Sequence, residues 1–494
     1  MTSFSDELYL QLAIVLPLAG AIAIRVVKST PNLREAISLF ISASLFTICV
    51  ALYLGIPTNG QVSVVWLELL PSLTLSFLVE PLGLLFALMS SFLWLVTTIY
   101  SIGYMRHHHE KNQTRFYQFF ALTMAAVMGI ALSANLFTLY IFYELLTLTT
   151  YPLVTHAGNS KAKKGGRTYL TVLLFTSVMF FLPAMVCAWL LGSTLDFVQG
   201  GMLTQQVSSG ITLMILLPLF IIGIGKGAIM PFHRWLPAAM VAPTPVSALL
   251  HAVAVVKGGV FAILKVCIYV FGIDLVATLP TSQLLLYLAG FSILVASFIA
   301  MRQDNLKKRL AYSTVSQLGY ITVGALLANK AGIIGSAMHM AIHGFGKITL
   351  FFCAGAVLVV SGRTKISEMT GIGRQMPITM GAFFIASLSV IGLPPTAGLW
   401  SKWFLLQATL QAQEWWLLIV LLLSSLLNIF YLLPVALNAF FADTKHAEVS
   451  TGQLEAPLPI LIAIVTCASA CILLFIFPQP LYELATSINL APDS

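Results

Sequence analysis

The chain has 494 residues, 59% of them in the AVILMFWYC class, only 9% charged, and a formal net charge of +8. A soluble domain carries about 25% charged residues, so this sequence cannot cover a water-facing surface, and soluble enzymes and nucleic-acid modules are excluded. Its length is better divided by the roughly 20 apolar residues that one bilayer crossing needs.

Fourteen spans are predicted, near residues 6–24, 36–56, 76–102, 116–134, 135–154, 168–192, 210–240, 243–271, 282–301, 310–328, 331–360, 376–410, 415–441 and 457–478. Backbone groups in lipid must be satisfied within the segment, so each span is expected as a helix. Asp6 and Glu7 precede the first span and no small-residue cleavage site follows it, which reads as a retained helix rather than a signal peptide. Lys and Arg favour the cytoplasmic side of short loops. Of the 25 Lys and Arg, Lys330 alone falls in an even-numbered loop; five lysines lie inside spans and the others, from Arg25 to Lys445, fall in odd-numbered loops, with Arg234 at the cytoplasmic end of span seven counted among them. Both termini are therefore expected outside the cytoplasm, and the basic balance reflects topology. The 6 cysteines all fall within spans and form no C-x-x-C. Disulfides, iron–sulfur clusters and zinc sites have no support, and the cysteines read as small packing residues.

Two spans are interrupted. The seventh reads I-G-I-G-K-G-A-I-M-P-F-H-R-W-L-P and the twelfth L-S-V-I-G-L-P-P-T-A-G-L-W-S-K-W, each with one lysine, Lys226 and Lys402. Proline removes a backbone donor and clashes with the preceding turn, so both helices should break near mid-membrane. Five crossings separate them, so they run in opposite directions. A broken helix recurring in that way marks the inverted repeats of secondary transporters. The expected fold is an all-α polytopic membrane protein of about 14 transmembrane helices with two inverted five-helix repeats. Residues 1–115 hold helices 1–3, 116–271 the first repeat, 272–441 the second, and 442–494 helix 14.

The five lysines inside spans are Lys226, Lys257, Lys265, Lys347 and Lys402. A charge at the bilayer centre costs at least ~2.5–3.5 kcal/mol, so they are expected to face the bundle interior. None is arginine, and lysine, unlike arginine, can give up its proton when buried. A buried lysine whose carboxylate partner approaches or withdraws is a proton switch. Glu144 is the mid-span carboxylate and is expected to pair with Lys226, whereas Glu80 is expected at the interface. Span eight adds His251 beside Lys257 and Lys265. In span eleven, H-M-A-I-H-G-F-G-K places His339, His343 and Lys347 at i, i+4 and i+8 on one side of a helix, a ladder suited to relaying protons, although a lone intramembrane histidine is more often a packing residue. His339 and His343 lack further zinc ligands, and His107, His108, His109 and Glu110 read as a solvated cytoplasmic loop. No metal or cofactor is expected.

The span-seven and span-twelve segments, with F-T-L-Y-I-F-Y-E-L-L-T-L in span five, resemble the antiporter-like family of proton-conducting membrane subunits. That family includes the large membrane subunits of respiratory complex I, of membrane-bound hydrogenases and of Mrp-type Na⁺/H⁺ antiporters; the D-type Mrp protein is the most similar pattern. The resemblance covers all fourteen spans, with Lys402 where the complex I M-type subunit has glutamate. It implies Glu144 and Lys226 as a coupled ion pair and Lys257 as the central relay. His251, His339, His343 and Lys347 would continue the path to Lys402, within a hetero-oligomer of membrane subunits. The expected function is the proton-translocating subunit of a sodium/proton antiporter, a multi-pass secondary transporter in a bacterial plasma membrane, handling protons and sodium and binding no nucleic acid. Hard cations want several oxygen ligands, so part of the sodium route is expected in partner subunits. Two alternatives stand: a proton-pumping subunit of an NADH:quinone oxidoreductase or hydrogenase complex, and a scaffold whose lysines bind anionic lipid.

Overall fold

A computed structural model describes residues 4–28, 30–59, 62–70, 72–203, 210–442 and 454–488; Lys445, counted above among the cytoplasmic charges, lies outside them. The expected spans coincide in order with helices. The first are α1 (Phe4–Val26), α2 (Pro31–Asn59), α3 (Pro81–His107), α4 (Gln113–Ala131) and α5 (Leu136–Val154). Next come α6 (Ser160–Thr176) and α7 (Leu182–Gly192), joined by a π-helical turn at Ser177–Phe181. The seventh span is α8 (Gly210–Gly223), an irregular stretch and the short α9 (Trp235–Ala238). α10 (Thr244–Ala252), α11 (Val255–Lys265) and α12 (Ile273–Thr278) precede α13 (Pro280–Met301), α14 (Leu306–Leu326) and α15 (Lys330–Ser361). The chain ends with α16 (Ile372–Gln375), α17 (Pro377–Ile391), α18 (Gly398–Gln411), α19 (Trp415–Phe441), α20 (Leu458–Ile476) and α21 (Gln479–Thr486). Nine helical stretches among the described residues are long and apolar enough to cross a membrane, and the chain is an all-α polytopic membrane protein in class.

The starts of these helices are written locally. Asn135, Asn159, Asn305 and Asn329 accept from Thr138, Ala162, Lys308 and Gly332 backbone N–H groups at the heads of α5, α6, α14 and α15, satisfying donors that the helix leaves free. Both expected breaks are present, between α8 and α9 and between α17 and α18. Gly392 ends α17 at φ 92°, a backbone region open to glycine and costly for other residues.

Two expectations are corrected. An antiparallel hairpin of β1 (Ser63–Leu70) and β2 (Leu73–Leu78) stands beside the helices, so span three begins at residue 81 rather than 76. Alternating side chains favour the strands, and β1 leaves Val65, Leu67, Leu69 and Leu70 at least half exposed. The eighth span is not continuous: it is interrupted at Val253 and Ala254 and passes into a π-helical turn at Val266–Phe271. Glu80, at the head of α3, is buried against protein.

Loop contacts agree with the parity of the count. Basic odd-numbered loops meet at one end, where Arg34 bonds Gln113 and Thr114, Arg115 bonds the His156 carbonyl, and Leu306 N–H bonds the Thr364 carbonyl. Even-numbered loops meet at the other, where Phe77 bridges Ser133, Asn135 bridges Asp196, and Gln283 bonds Glu414. At the centre, α15 packs against α3, α10, α14, α17, α18 and α20. The Thr244–Phe271 stretch beside it is wholly buried.

Candidate functional site

All five intramembrane lysines are buried, and what holds each one differs. At the α8–α9 break the chain leaves helical geometry, and Lys226 reaches across to α5. Its Nζ donates to the Tyr143 carbonyl at 2.7 Å and to Thr147 Oγ1 at 2.7 Å, and lies 3.1 Å from the centre of the Tyr143 ring. The Tyr143 hydroxyl in turn accepts from the Lys226 backbone N–H at 3.1 Å.

Glu144 makes no ion pair among the described residues, and its Oε1 is buried without a hydrogen-bond partner. Contact between Glu144 and Lys226 is therefore corrected. The reason is helical geometry: Tyr143 and Thr147 point inward, whereas half-buried Glu144 shares the outer face of α5 with exposed Ile141 and Leu148.

α11 crosses directly behind Lys226. A Cβ added at Gly259 would lie 2.4 Å from the Lys226 carbonyl carbon and 2.5 Å from the Gly227 nitrogen. Gly259→Ala is expected to cost about 1–3 kcal/mol by overpacking, seen as a lower thermal midpoint in detergent; an unchanged midpoint would contradict the close approach.

Two residues before that glycine, Lys257 links α11 to α15. Its Nζ meets His343 Nδ1 on α15 in a short hydrogen bond. The His343 ring stacks on His339 with centres 5.6 Å apart and planes 14° from parallel, as the i, i+4 spacing predicts. His339 Nδ1 pairs with Ser401 Oγ on α18 at 2.9 Å, and its other face stacks on Tyr320 of α14 at 5.7 Å. Lys402 lies 4.9 Å from that same tyrosine ring and donates to the Ile391 carbonyl at 2.8 Å and Ser425 Oγ at 3.0 Å. The Ile391 carbonyl is free to accept because the α17 break leaves it without a helical donor. A cavity of about 260 Å³ between α17, α18 and α19 reaches Lys402.

The remaining sequence candidates lie beside this line. Lys347 turns from the histidines towards α14, donating to Ser313 Oγ at 2.6 Å, which also accepts from the Tyr431 hydroxyl at 2.9 Å. His251 stacks on Phe351 at 5.2 Å, and neither ring nitrogen has a hydrogen-bond partner. Lys265 forms a buried ion pair with Glu80 and donates to the Ser133 carbonyl at 3.3 Å, with Phe197 4.2 Å and Tyr269 4.9 Å from its nitrogen. Sequence reasoning missed Glu80 here, along with the hydroxyl partners Thr147, Ser313, Ser401 and Ser425. Hydroxyls inside apolar spans were the available signal.

The arrangement can carry protons. Apart from Lys265, the lysine amines sit against neutral acceptors, with no counter-ion in contact among the described residues. Imidazoles between them can take a proton on one nitrogen and release one from the other. No group of three or more His, Cys, Asp or Glu able to hold a metal is found among the described residues.

The family described as NADH:quinone oxidoreductase/Mrp antiporter, TM, matches residues 133–428, and that described as NADH-ubiquinone oxidoreductase (complex I), chain 5 N-terminus, matches residues 66–117. The chain is 32% identical over 391 residues to the N-type membrane protein of the NADH-quinone oxidoreductase of Desulforudis audaxviator, covering 79% of this chain and 77% of that one. It is 28% identical over 385 residues to the D-type protein of the Na⁺/H⁺ antiporter of Alkalihalophilus pseudofirmus, covering 77% and 76%. A chain in the solved Mrp complex of Dietzia sp. DQ12-45-1b superimposes with a TM-score of 0.87 at 19% identity, covering 99% of this chain and 98% of that one.

Proposed function

Because this chain belongs to the NADH:quinone oxidoreductase/Mrp antiporter transmembrane family, we propose that it is the proton-translocating membrane subunit of a multi-subunit sodium/proton antiporter in a bacterial plasma membrane. One observation carries the reading: a buried line of titratable groups runs from Lys257 through His343 and His339 to Lys402, with Lys226 packed behind α11 at its near end. Protons load Lys226 or Lys257, move along the stacked histidines and leave near Lys402. Glu144, set on the outer face of α5, changes the hold of Lys226 on its proton as the acid moves towards it or away. The two broken helices are the matching switch elements of two inverted repeats, residues 116–271 and 272–441. Part of the sodium route belongs to partner subunits, since the line itself offers a hard cation few oxygens.

The experiment is ΔpH-driven exchange in vesicles carrying the intact complex. Glu144→Gln is expected to lower the rate at least about a hundredfold, the scale of a lost proton-transfer group, with the chain present at its normal level. Exchange at the wild-type rate would overturn the assignment of the switch.

A second reading is favoured by the relative named as part of an NADH-quinone oxidoreductase. There the same line would serve a redox-driven pump. Flavin or iron–sulfur proteins copurifying with the chain would support it; small membrane subunits alone would support the antiporter.

A further inference from the structure

The histidine-rich loop after α3 is exposed, as its composition suggests, yet its side chains are tied to their neighbours. His108 stacks on Tyr104 with ring centres 5.3 Å apart, and its Nδ1 lies 3.2 Å from Glu110. Glu110 also faces His156, at 4.0 Å, from the loop after α5. His156 is buried, its Nε2 reaches the Lys111 carbonyl at 2.9 Å, and Arg115 holds its backbone carbonyl. Burial pushes the His156 pKa down, with Glu110 pulling it back and Arg115 adding to the fall.

Two groups join this cluster to the interior. Tyr104 is buried and sits between Glu110 and Thr244, at the head of α10. Half-buried Lys307 is within the field of Glu110 and donates to the Ala242 carbonyl at 2.6 Å. That carbonyl also accepts from Ser247 Oγ at 3.3 Å.

From there a buried polar stripe runs inward. Thr244, Ser247 and His251 fall at i, i+3 and i+7 on α10 and are fully buried, so they share one helical face. Both nitrogens of His251 have no hydrogen-bond partner. Buried polar groups left open in this way are where ordered water belongs. The stripe ends at the Val253–Ala254 interruption, one turn before Lys257.

Resting on the function proposed above, we propose that Glu110, with His108 and His156, is a proton-collecting antenna at the cytoplasmic mouth of a hydrated passage along Thr244, Ser247 and His251 to Lys257. The Glu110 carboxylate takes a proton from buffer or water, forming an O–H bond. It then passes that proton to the water column and returns to carboxylate, with no other bond changed. Tyr104, Lys307 and Arg115 face the cluster from neighbouring elements, and His107, His109 and Lys111 flank it within the loop.

The test is exchange by the intact complex in vesicles with their cytoplasmic face accessible, in dilute and in concentrated imidazole buffer. The double variant Glu110→Gln/His108→Gln alters a surface loop and is expected at its normal membrane level. In dilute buffer its rate is expected to fall at least about tenfold, the lower range of electrostatic concentration of a ligand. Concentrated imidazole, a mobile carrier, should restore it. An unchanged rate in dilute buffer overturns the antenna, and so does a loss that imidazole leaves unrepaired, since that would be structural damage. Glu144→Gln vesicles run alongside separate the two levels. If they are inactive while the double variant is normal, only the antenna fails; if they exchange normally, the underlying reading fails.

Discussion

Lys257→Met is expected to lower ΔpH-driven exchange by at least about a hundredfold, the contribution typical of a positioned proton-transfer group, with little change in the amount of chain in the membrane. Methionine has nearly the length of lysine and suits a fully buried, apolar site, so packing against α15 survives. What disappears is the hydrogen bond to His343, the contact by which titratable side chains of α11 and α15 meet. A companion variant, Lys257→Arg, keeps a cation beside His343 but one that does not release its proton. It is expected to be equally inactive. Should the arginine variant exchange at the wild-type rate while the methionine variant does not, Lys257 would serve as a fixed charge and the relay would be wrong.

The second large effect is on stability. Glu80→Ala is expected to destabilise the chain by about 3–5 kcal/mol, the cost of stranding one member of a buried ion pair. Lys265 is fully buried and Glu80 is 8% exposed, so water cannot replace the lost carboxylate. The aromatic rings of Phe197 and Tyr269 offset part of the loss. Replacing both partners, Glu80→Leu with Lys265→Met, should regain most of it, because well-packed apolar pairs often match buried ion pairs. Thermal unfolding in detergent checks both. A single variant as stable as the wild type, or a double variant no better than the single, would show that the pair does not anchor α3 to α11.

Much of this was legible in the sequence because lipid imposes simple rules. Apolar runs gave the helices, Gly and Pro gave the interruptions beside Lys226 and Lys402, and i, i+4 spacing gave the stacked His339 and His343. Contacts between distant segments were not legible. Glu80 finds Lys265 only once α3 and α11 pack, and nothing local marks either as the other's partner. Glu144 was expected to touch Lys226 because both are ionisable, but the inward-facing groups of α5 are its neighbours Tyr143 and Thr147. The interruption after α10 has no Gly or Pro to announce it. There α15 comes close: a Cβ at Gly344 would lie 3.2 Å from the Ala252 carbonyl. The hairpin's alternation was present in Ser63–Leu78, but all except its last residues fell between the apolar runs and went unread.

The hairpin also bears on how the chain behaves away from its neighbours. Among the described residues β1 pairs with β2 alone, so one side of it, beside Val65, Leu67, Leu69 and Leu70, has no strand partner there. Such a bare edge is a template on which a second molecule can add its own strand, and natural proteins normally blunt it with charge or proline. Glu68 is the charged residue on this strand. Isolated in detergent, the protein is therefore prone to stick to itself through this margin, outside the membrane and away from its transport machinery.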